Sequence, residues 1–190
     1  MLNIEAIRTG IEAAKRVGVL PQYVLAIITV ESHGNPWAWN PEPKYRFLWN
    51  VRTDAAFRKL TAAEIESEIP PFDFPAPAGA DRDAEYWGQS ASWGLMQVMG
   101  AVAREDGYTD PFLTGLCDPL EGATRGTRHF AGLMGRYGKA ESAIAAYNAG
   151  SPRYLPGGRV FVNQGYVDKV LAAVEYWRVW FKDNPQGPPA

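Results

Sequence analysis

The sequence predicts a mainly α-helical domain. Apolar residues recur at helical spacing in several separated segments, most of which open on a capping residue or proline and close on a glycine. Alternation of the kind a strand needs shows only in GGRVFVN, residues 157–163. With 190 residues and 46% hydrophobic content, the chain can bury one core.

Ile4, Ile7, Ile11 and Ala14 mark an amphipathic helix over residues 3–17. Pro21 suits the first turn of a second helix that runs to about Ser32, where Gly34 and Pro36 stop it. This helix is apolar nearly all round, which places it centrally. Residues 41–88 read differently, with NPEPK, IPPFDFPAPAGAD and few periodic runs. Thr61 and Glu64 can form a capping box there. The rest is expected to be ordered loop held by its many rings, an insertion rather than a linker. From Gly94 helical spacing returns through Leu95, Val98 and Val102, and Gly107 ends it. Asp118, Pro119 and Glu121 open a long helix that closes at Gly138. A short Ala-rich helix follows over 141–149. Tyr166, Val170, Val174 and Trp177 line a last helix that stops before Pro185. The expected organisation is one domain over 1–184, with its insertion at about 41–88 and a loose tail at 185–190.

Composition excludes several functions. A net charge of −2 without basic blocks argues against nucleic acid or an anionic membrane surface as partner. No apolar run is long enough to span a bilayer. Helical spacing broken by Glu5, Arg8, Glu12 and Lys15 argues against a signal peptide at the start. Cys117 is the sole cysteine, so no intrachain disulfide forms, and it reads as a small buried hydrophobe. His33 and His129 lie in no metal-binding pattern, so neither metal nor cofactor is expected. Seven Trp, nine Tyr and eight Phe are many for this length. Such rings usually pack in a core, but they also stack on pyranose faces.

The stretch VLAIITVESHG, residues 24–34, ends an apolar helix on Glu31. The negative end of the helix dipole and apolar neighbours both disfavour the carboxylate and raise its pKa. A carboxylic acid that stays protonated near neutral pH is the proton donor that glycosidic cleavage needs. Further along stand SWGLMQVMG at 92–100, AAYNAG at 145–150 and GYVDKV at 165–170. Gly94 admits a close backbone approach, Gln97 offers a donor and an acceptor, and Tyr147 can orient a carboxyl or stack.

The order Glu-Ser, Gly-Leu-Met-Gln, Ala-Tyr-Asn-Ala-Gly resembles the soluble lytic transglycosylases, with their lysozyme-like catalytic domain. The resemblance extends from Val24 to Val174. It implies that Glu31 is the single acid/base acting on peptidoglycan glycan strands and that the Tyr147 hydroxyl points at it. Gln97, Met99, Asn148 and Tyr166 would lie along the sugar, with Ser32 beside the acid at the sugar and helping to close its helix, and Ser90 or Ser92 as the cleft serine. It further implies formation of a 1,6-anhydro end. The remaining readings are a muramidase that uses water, and an inactive glycan-binding or virion structural module. A second carboxylate, if used, would come from Glu42, Asp81, Asp83 or Glu85, each of which reads by default as solvated surface. The chain departs from the family in its long insertion, in Trp93 where a small residue is usual, and in Val162, Asn163 and Gln164 where Glu-Thr-Arg often stands. The expected setting is a monomer made without a Sec leader, acting on the wall as a phage endolysin or virion-associated enzyme.

Overall fold

A computed structural model describes residues 2–188. Helix α1 (Ile4–Val17) opens on Asn3, whose side chain accepts from the Ala6 amide at 2.8 Å, and closes on left-handed Gly18. Helix α2 (Pro21–Glu31) buries Val24, Leu25, Ala26, Ile27 and Ile28 completely, as its all-round apolar sequence requires. The chain then forms β1 (Trp39–Pro41), β2 (Trp49–Asn50), β3 (Ala55–Ala56), α3 (Ala62–Ile65) and α4 (Arg82–Gln89). It returns through β4 (Ala91–Trp93), β5 (Val98–Met99), α5 (Gly100–Glu105) and a 3₁₀ turn at Leu113–Cys117. Three helices complete it: α6 (Pro119–Tyr137), α7 (Ala140–Ala149) and α8 (Gln164–Asp183).

Helix α2 packs on α1 and α8, α6 on α1 and α7, and α7 on α8, so five helices close around one core. Trp177 of α8 is buried in it and donates its indole N–H to the Thr29 hydroxyl at 3.0 Å. The expected ends of α6 hold, with Asp118 accepting from the Leu120 and Glu121 amides and Gly138 left-handed. Glu121 does not close the capping box. Its carboxylate instead takes Arg125 one turn on, at 2.7 Å.

The stretch after Gly94 departs from the helical expectation. Gly94 at φ +70° and Gln97 at φ +49° are both left-handed, which a right-handed helix cannot contain. They form a turn joining β4 to β5, and helix begins only at Gly100. The strands β1, β4 and β5 make an antiparallel sheet in that order. Its register sets Trp39, Trp93 and Val98 on one face and Asn40, Ser92 and Met99 on the other. Conversely, residues 157–163 form no strand. Gly157 and Gly158 turn the chain, and a single bridge pairs Tyr154 with Phe161.

The 41–88 insertion is more structured than its composition suggests. The Thr61–Glu64 capping box is present. Helix α4 was not anticipated, since eight residues give little periodicity. Its N-cap is Asp81, which accepts from the Asp83 and Ala84 amides. Leu48, Leu60, Phe74 and Tyr86 form a second, smaller core. Glu85, expected at the surface, is buried and meets Arg104 of α5 in a two-pronged ion pair, both contacts 2.8 Å. Gln89 donates to Glu85 and exchanges hydrogen bonds with the Trp49 backbone, tying β2 to α4. Cys117 is buried, as expected of a small hydrophobe. Helix α8 ends at Asp183, before Pro185. Residues 189–190 of the expected loose tail lie outside the described residues.

Candidate active site

Glu31 ends α2, and the first turn of α8 brings Tyr166 to it. The Tyr166 hydroxyl donates to Glu31 Oε1 at 2.5 Å. Burial raises the Glu31 pKa, and the negative charge of Glu42 adds to that, while the Tyr166 bond acts in the opposite sense. Burial also raises the Tyr166 phenol, as do the charge and hydrogen bond of Glu31, so this hydroxyl stays a donor. A half-buried carboxyl with one fixed donor is thereby biased toward its protonated form.

Tyr147 behaves otherwise than expected. Its hydroxyl donates to the Met96 carbonyl at 2.8 Å and not to Glu31. It lies close enough to feel the carboxylate, since after burial the Glu31 charge is the next cause raising its pKa. The orienting bond expected of Tyr147 is made by Tyr166, a residue expected only along the sugar.

The serines are also differently placed. Ser32 is buried, donates to the Leu95 carbonyl at 2.7 Å and accepts from the Gly34 amide at 3.2 Å. It fastens the end of α2 to the Gly94 turn. Ser90 is buried at the end of α4 with its hydroxyl unpartnered. Ser92 is buried and donates to Gln97 Oε1 at 3.0 Å. Gln97 Nε2 in turn donates to the Ala38 and Gly94 carbonyls at 2.9 and 3.0 Å. Ser32, Ser92 and Gln97 thus brace the turn under the site, and their polar ends are engaged with protein.

Met99 and Asn148 do line an open cleft of about 640 Å³. The insertion supplies Glu42, Tyr45 and Phe47 to one wall, beside Val102 and Glu105 of α5. Helix α6 supplies His129 and Arg136 to another, and the end of α7 supplies Tyr147 and the chain to Arg153. Glu31 is not itself in this lining, but it is electrostatically coupled to two residues that are, Glu42 and Tyr147. Burial pushes the Tyr45 phenol up to about 12, and the charges of Glu105 and Glu42 add to it. Asn148 Oδ1 accepts from Asn163 Nδ2 at 2.9 Å, and Asn163 also donates to the Ala145 carbonyl. Asn163, in the stretch where the Glu-Thr-Arg pattern is missing, therefore ties the start of α8 to the end of α7.

The rings in and just before the insertion divide between cleft, core and surface. Tyr45 lines the cleft, Tyr86 belongs to the small core, and Trp39 and Trp87 line a separate apolar cavity of about 240 Å³. That cavity holds Trp93 too, on the sheet face opposite Met99. Trp37 is 74% exposed. Phe47 stands in the cleft wall. Among the described residues no group of three His, Cys, Asp or Glu side chains could hold a metal ion, and no helix is long and apolar enough to cross a membrane.

Compared with known protein families, residues 8–155 match the Transglycosylase SLT domain. The chain belongs to this family. It is an enzyme of the peptidoglycan lytic transglycosylase type, and its mainly helical architecture is the lysozyme-like fold of the family. No solved structure matches the chain. The match takes in Glu31, the Gly94 turn and Tyr147, whereas Tyr166 lies beyond its end. The donor to Glu31 is thus contributed by a part of the chain outside the matched segment.

Proposed function

We propose that this SLT-family enzyme cleaves the β-1,4 bond between MurNAc and GlcNAc, with Glu31 as its only acid/base. The observation that carries this is the pairing of a pKa-raised carboxyl at the end of α2 with the Tyr166 hydroxyl, beside an open cleft. Protonated Glu31 gives its proton to the GlcNAc O4 as the bond from the MurNAc anomeric carbon breaks. The N-acetyl oxygen of the same MurNAc stabilises the electron-poor anomeric carbon. The Glu31 carboxylate then removes the proton from the MurNAc 6-hydroxyl, whose oxygen bonds to that carbon. The product is a 1,6-anhydro end, and Glu31 is again protonated without consuming water. Tyr166 would orient the carboxyl and stabilise its charge between the two proton transfers.

One observation favours a second reading. Glu42 lines the cleft, and its charge bears on Glu31. Two carboxylates flanking a sugar are the usual equipment for hydrolysis. In that reading Glu42 activates water and the product is a reducing end. Mass spectrometry of digested peptidoglycan separates the two, because the anhydro product is lighter by one water. Glu31→Gln should leave the fold intact and lower turnover by several orders of magnitude, since the proton donor is gone. Cleavage at a near wild-type rate by this variant would remove Glu31 from the mechanism. The proposed organisation is a single monomeric domain acting on the cell wall. Release by a phage, as endolysin or virion component, is the setting proposed for it.

A further inference from the structure

We infer that Arg136 and Arg153 form a carboxylate-binding part of the cleft that receives the acidic arm of the muramyl residue. The inference rests on the glycan-strand reading and adds to it which part of the substrate the cleft selects. The cleft lining carries charge of both signs. Glu42 and Glu105 of α5 line it and both bear on Tyr45. Arg136, in the last turn of α6, and Arg153, beyond the end of α7, line it as well. Both arginines are exposed, and neither guanidinium has a hydrogen-bond or ion-pair partner among the described residues.

Most other arginines of the chain are engaged. Arg16, Arg58, Arg82, Arg104, Arg125 and Arg178 each pair with a carboxylate. His129, which shares the cleft with Arg136, has Asp106 at 3.5 Å. Two unpaired guanidinium groups in the lining of this cleft are therefore open to an anionic ligand, on a chain whose net charge is −2.

The glycan backbone itself is neutral, being built of hydroxyls and N-acetyl groups. Its anionic chemistry is carboxylate, carried on the 3-O-lactyl arm of each muramyl residue. The group is either the lactyl carboxylate itself, on strands without peptide, or a free carboxylate of the attached stem. A guanidinium presents a planar fork of donors that fits a carboxylate through two parallel hydrogen bonds. A neutral chitin oligomer offers the same sugar ring and no such partner. Charge in this lining thus separates muramyl strands from chitin and also fixes the register and direction in which a strand enters.

The test is binding to the Glu31→Gln protein, which holds substrate without turning it over, followed by turnover in the otherwise wild-type chain. The probes are a muramyl tetrasaccharide bearing its stem, the same tetrasaccharide freed of peptide, and chitotetraose. Arg136→Gln and Arg153→Gln should each weaken muramyl binding about three- to tenfold and leave chitotetraose binding unchanged. Arg136→Lys should recover part of the loss. Added salt should weaken the muramyl probes alone. A loss confined to the stem-bearing probe identifies stem carboxylates as the group bound, a loss confined to the peptide-free probe identifies the lactyl carboxylate, and a loss for both shows that the arginines take whichever carboxylate the arm carries. In turnover the loss should fall on KM and not on kcat. Equal affinity of variant and parent for all three probes overturns the inference but leaves the cleavage reading intact. Equal weakening of all three probes also overturns it, because the arginines would then be serving sugar contacts common to every probe. If the wild-type chain proves inactive on cell walls, the function falls, while the binding comparison still decides the arginines.

Discussion

At the scale of single residues, the catalytic assignment turns on two tyrosines. The motif pointed to Tyr147, but hydrogen-bond geometry gives the Glu31 contact to Tyr166 and ties Tyr147 to the Met96 carbonyl. Tyr166→Phe removes a bond that lowers the Glu31 pKa, so that pKa should rise. The alkaline limb of the rate profile should then move to higher pH while the maximal rate falls by roughly ten- to a thousandfold. Tyr147→Phe should leave that limb in place and cost about 1 kcal/mol of stability for the lost carbonyl bond. Pre-steady-state turnover across pH, with thermal melts of both variants, checks the pair. If the Tyr147 variant moves the limb and the Tyr166 variant does not, the roles are the reverse. The Glu31 shift also has a stability consequence. Its pKa is higher folded than unfolded, so between the ordinary value of 4.5 and the raised one the native state holds a proton that the unfolded chain has released. Stability contributed by Glu31 is therefore present below that window and is lost as pH rises through it. Glu31→Gln should melt higher than wild type at neutral pH, and the gain should vanish in acid below the ordinary carboxylate range. Equal melting of the two proteins at pH 7 would mean that Glu31 carries no such penalty. Glu31 was legible because its signal is local, an acid ending an apolar run. The bond from Tyr166 was not, because it spans 135 positions and depends on how α8 lies against α2.

At the scale of elements, the long helices were legible in period and caps. Asp118 and Gly138 end α6 where expected, and Asn3, Gly18 and Gly150 cap α1 and α7 close to the expected bounds, since capping is local chemistry. The Gly94 turn was not, because Leu95, Val98 and Val102 keep helical spacing although the backbone reverses. What fixes the turn is non-local. A Cβ on Gly94 would lie 2.3 Å from the Leu116 carbonyl oxygen, and Gly94 accepts a left-handed φ that other residues resist. Gly94→Ala should destabilise the protein by more than the 1 kcal/mol typical of a glycine substitution, since it adds a backbone clash to the conformational strain. It should also lower turnover by shifting Ser32, Gln97 and Met96 together. Chemical denaturation gives the first effect. A melting point within 2 °C of wild type would contradict it. Helix α4 shows the same limit from another side. Its anchor, the Glu85–Arg104 pair, joins side chains 19 positions apart that read separately as surface charges. Glu85→Ala leaves the Arg104 guanidinium buried without its carboxylate and should cost about 3–5 kcal/mol. Replacing both partners with apolar residues of similar size should cost much less, and a double-variant denaturation series measures the difference.

At the scale of the whole molecule, the question is what the insertion does for the cleft that the five-helix core does not. Its outer part builds the small core of Leu48, Leu60, Phe74 and Tyr86, while its first residues turn Glu42, Tyr45 and Phe47 into the cleft. Phe74 and Tyr86 thus serve the small core, Phe47 faces the cleft, and Tyr45 packs against that core while lining the cleft, a division that the aromatic count could not reveal. Phe74 is buried, with Phe57 and Tyr86 rings edge-on at 5.0 and 5.2 Å, so truncation opens a cavity. Phe47 is 74% exposed, with the Tyr45 ring edge-on at 5.8 Å, so truncation opens none. Phe74→Ala should cost about 3–5 kcal/mol of stability. Phe47→Ala should melt close to wild type yet weaken binding of a muramyl or chitin oligomer by about 1–3 kcal/mol, the range for ring stacking on flat ligands. The neutral oligomer is the informative probe, because stacking on a sugar face requires no charge. Its loss at Phe47 and its indifference to Arg136 would assign the two walls separate duties. Calorimetric titration of the Glu31→Gln protein with and without Phe47→Ala decides the matter. If oligomer affinity is unchanged while Phe74→Ala destabilises as expected, the insertion supports the cleft without touching the glycan, and the wall is built by α5, α6 and the end of α7 alone.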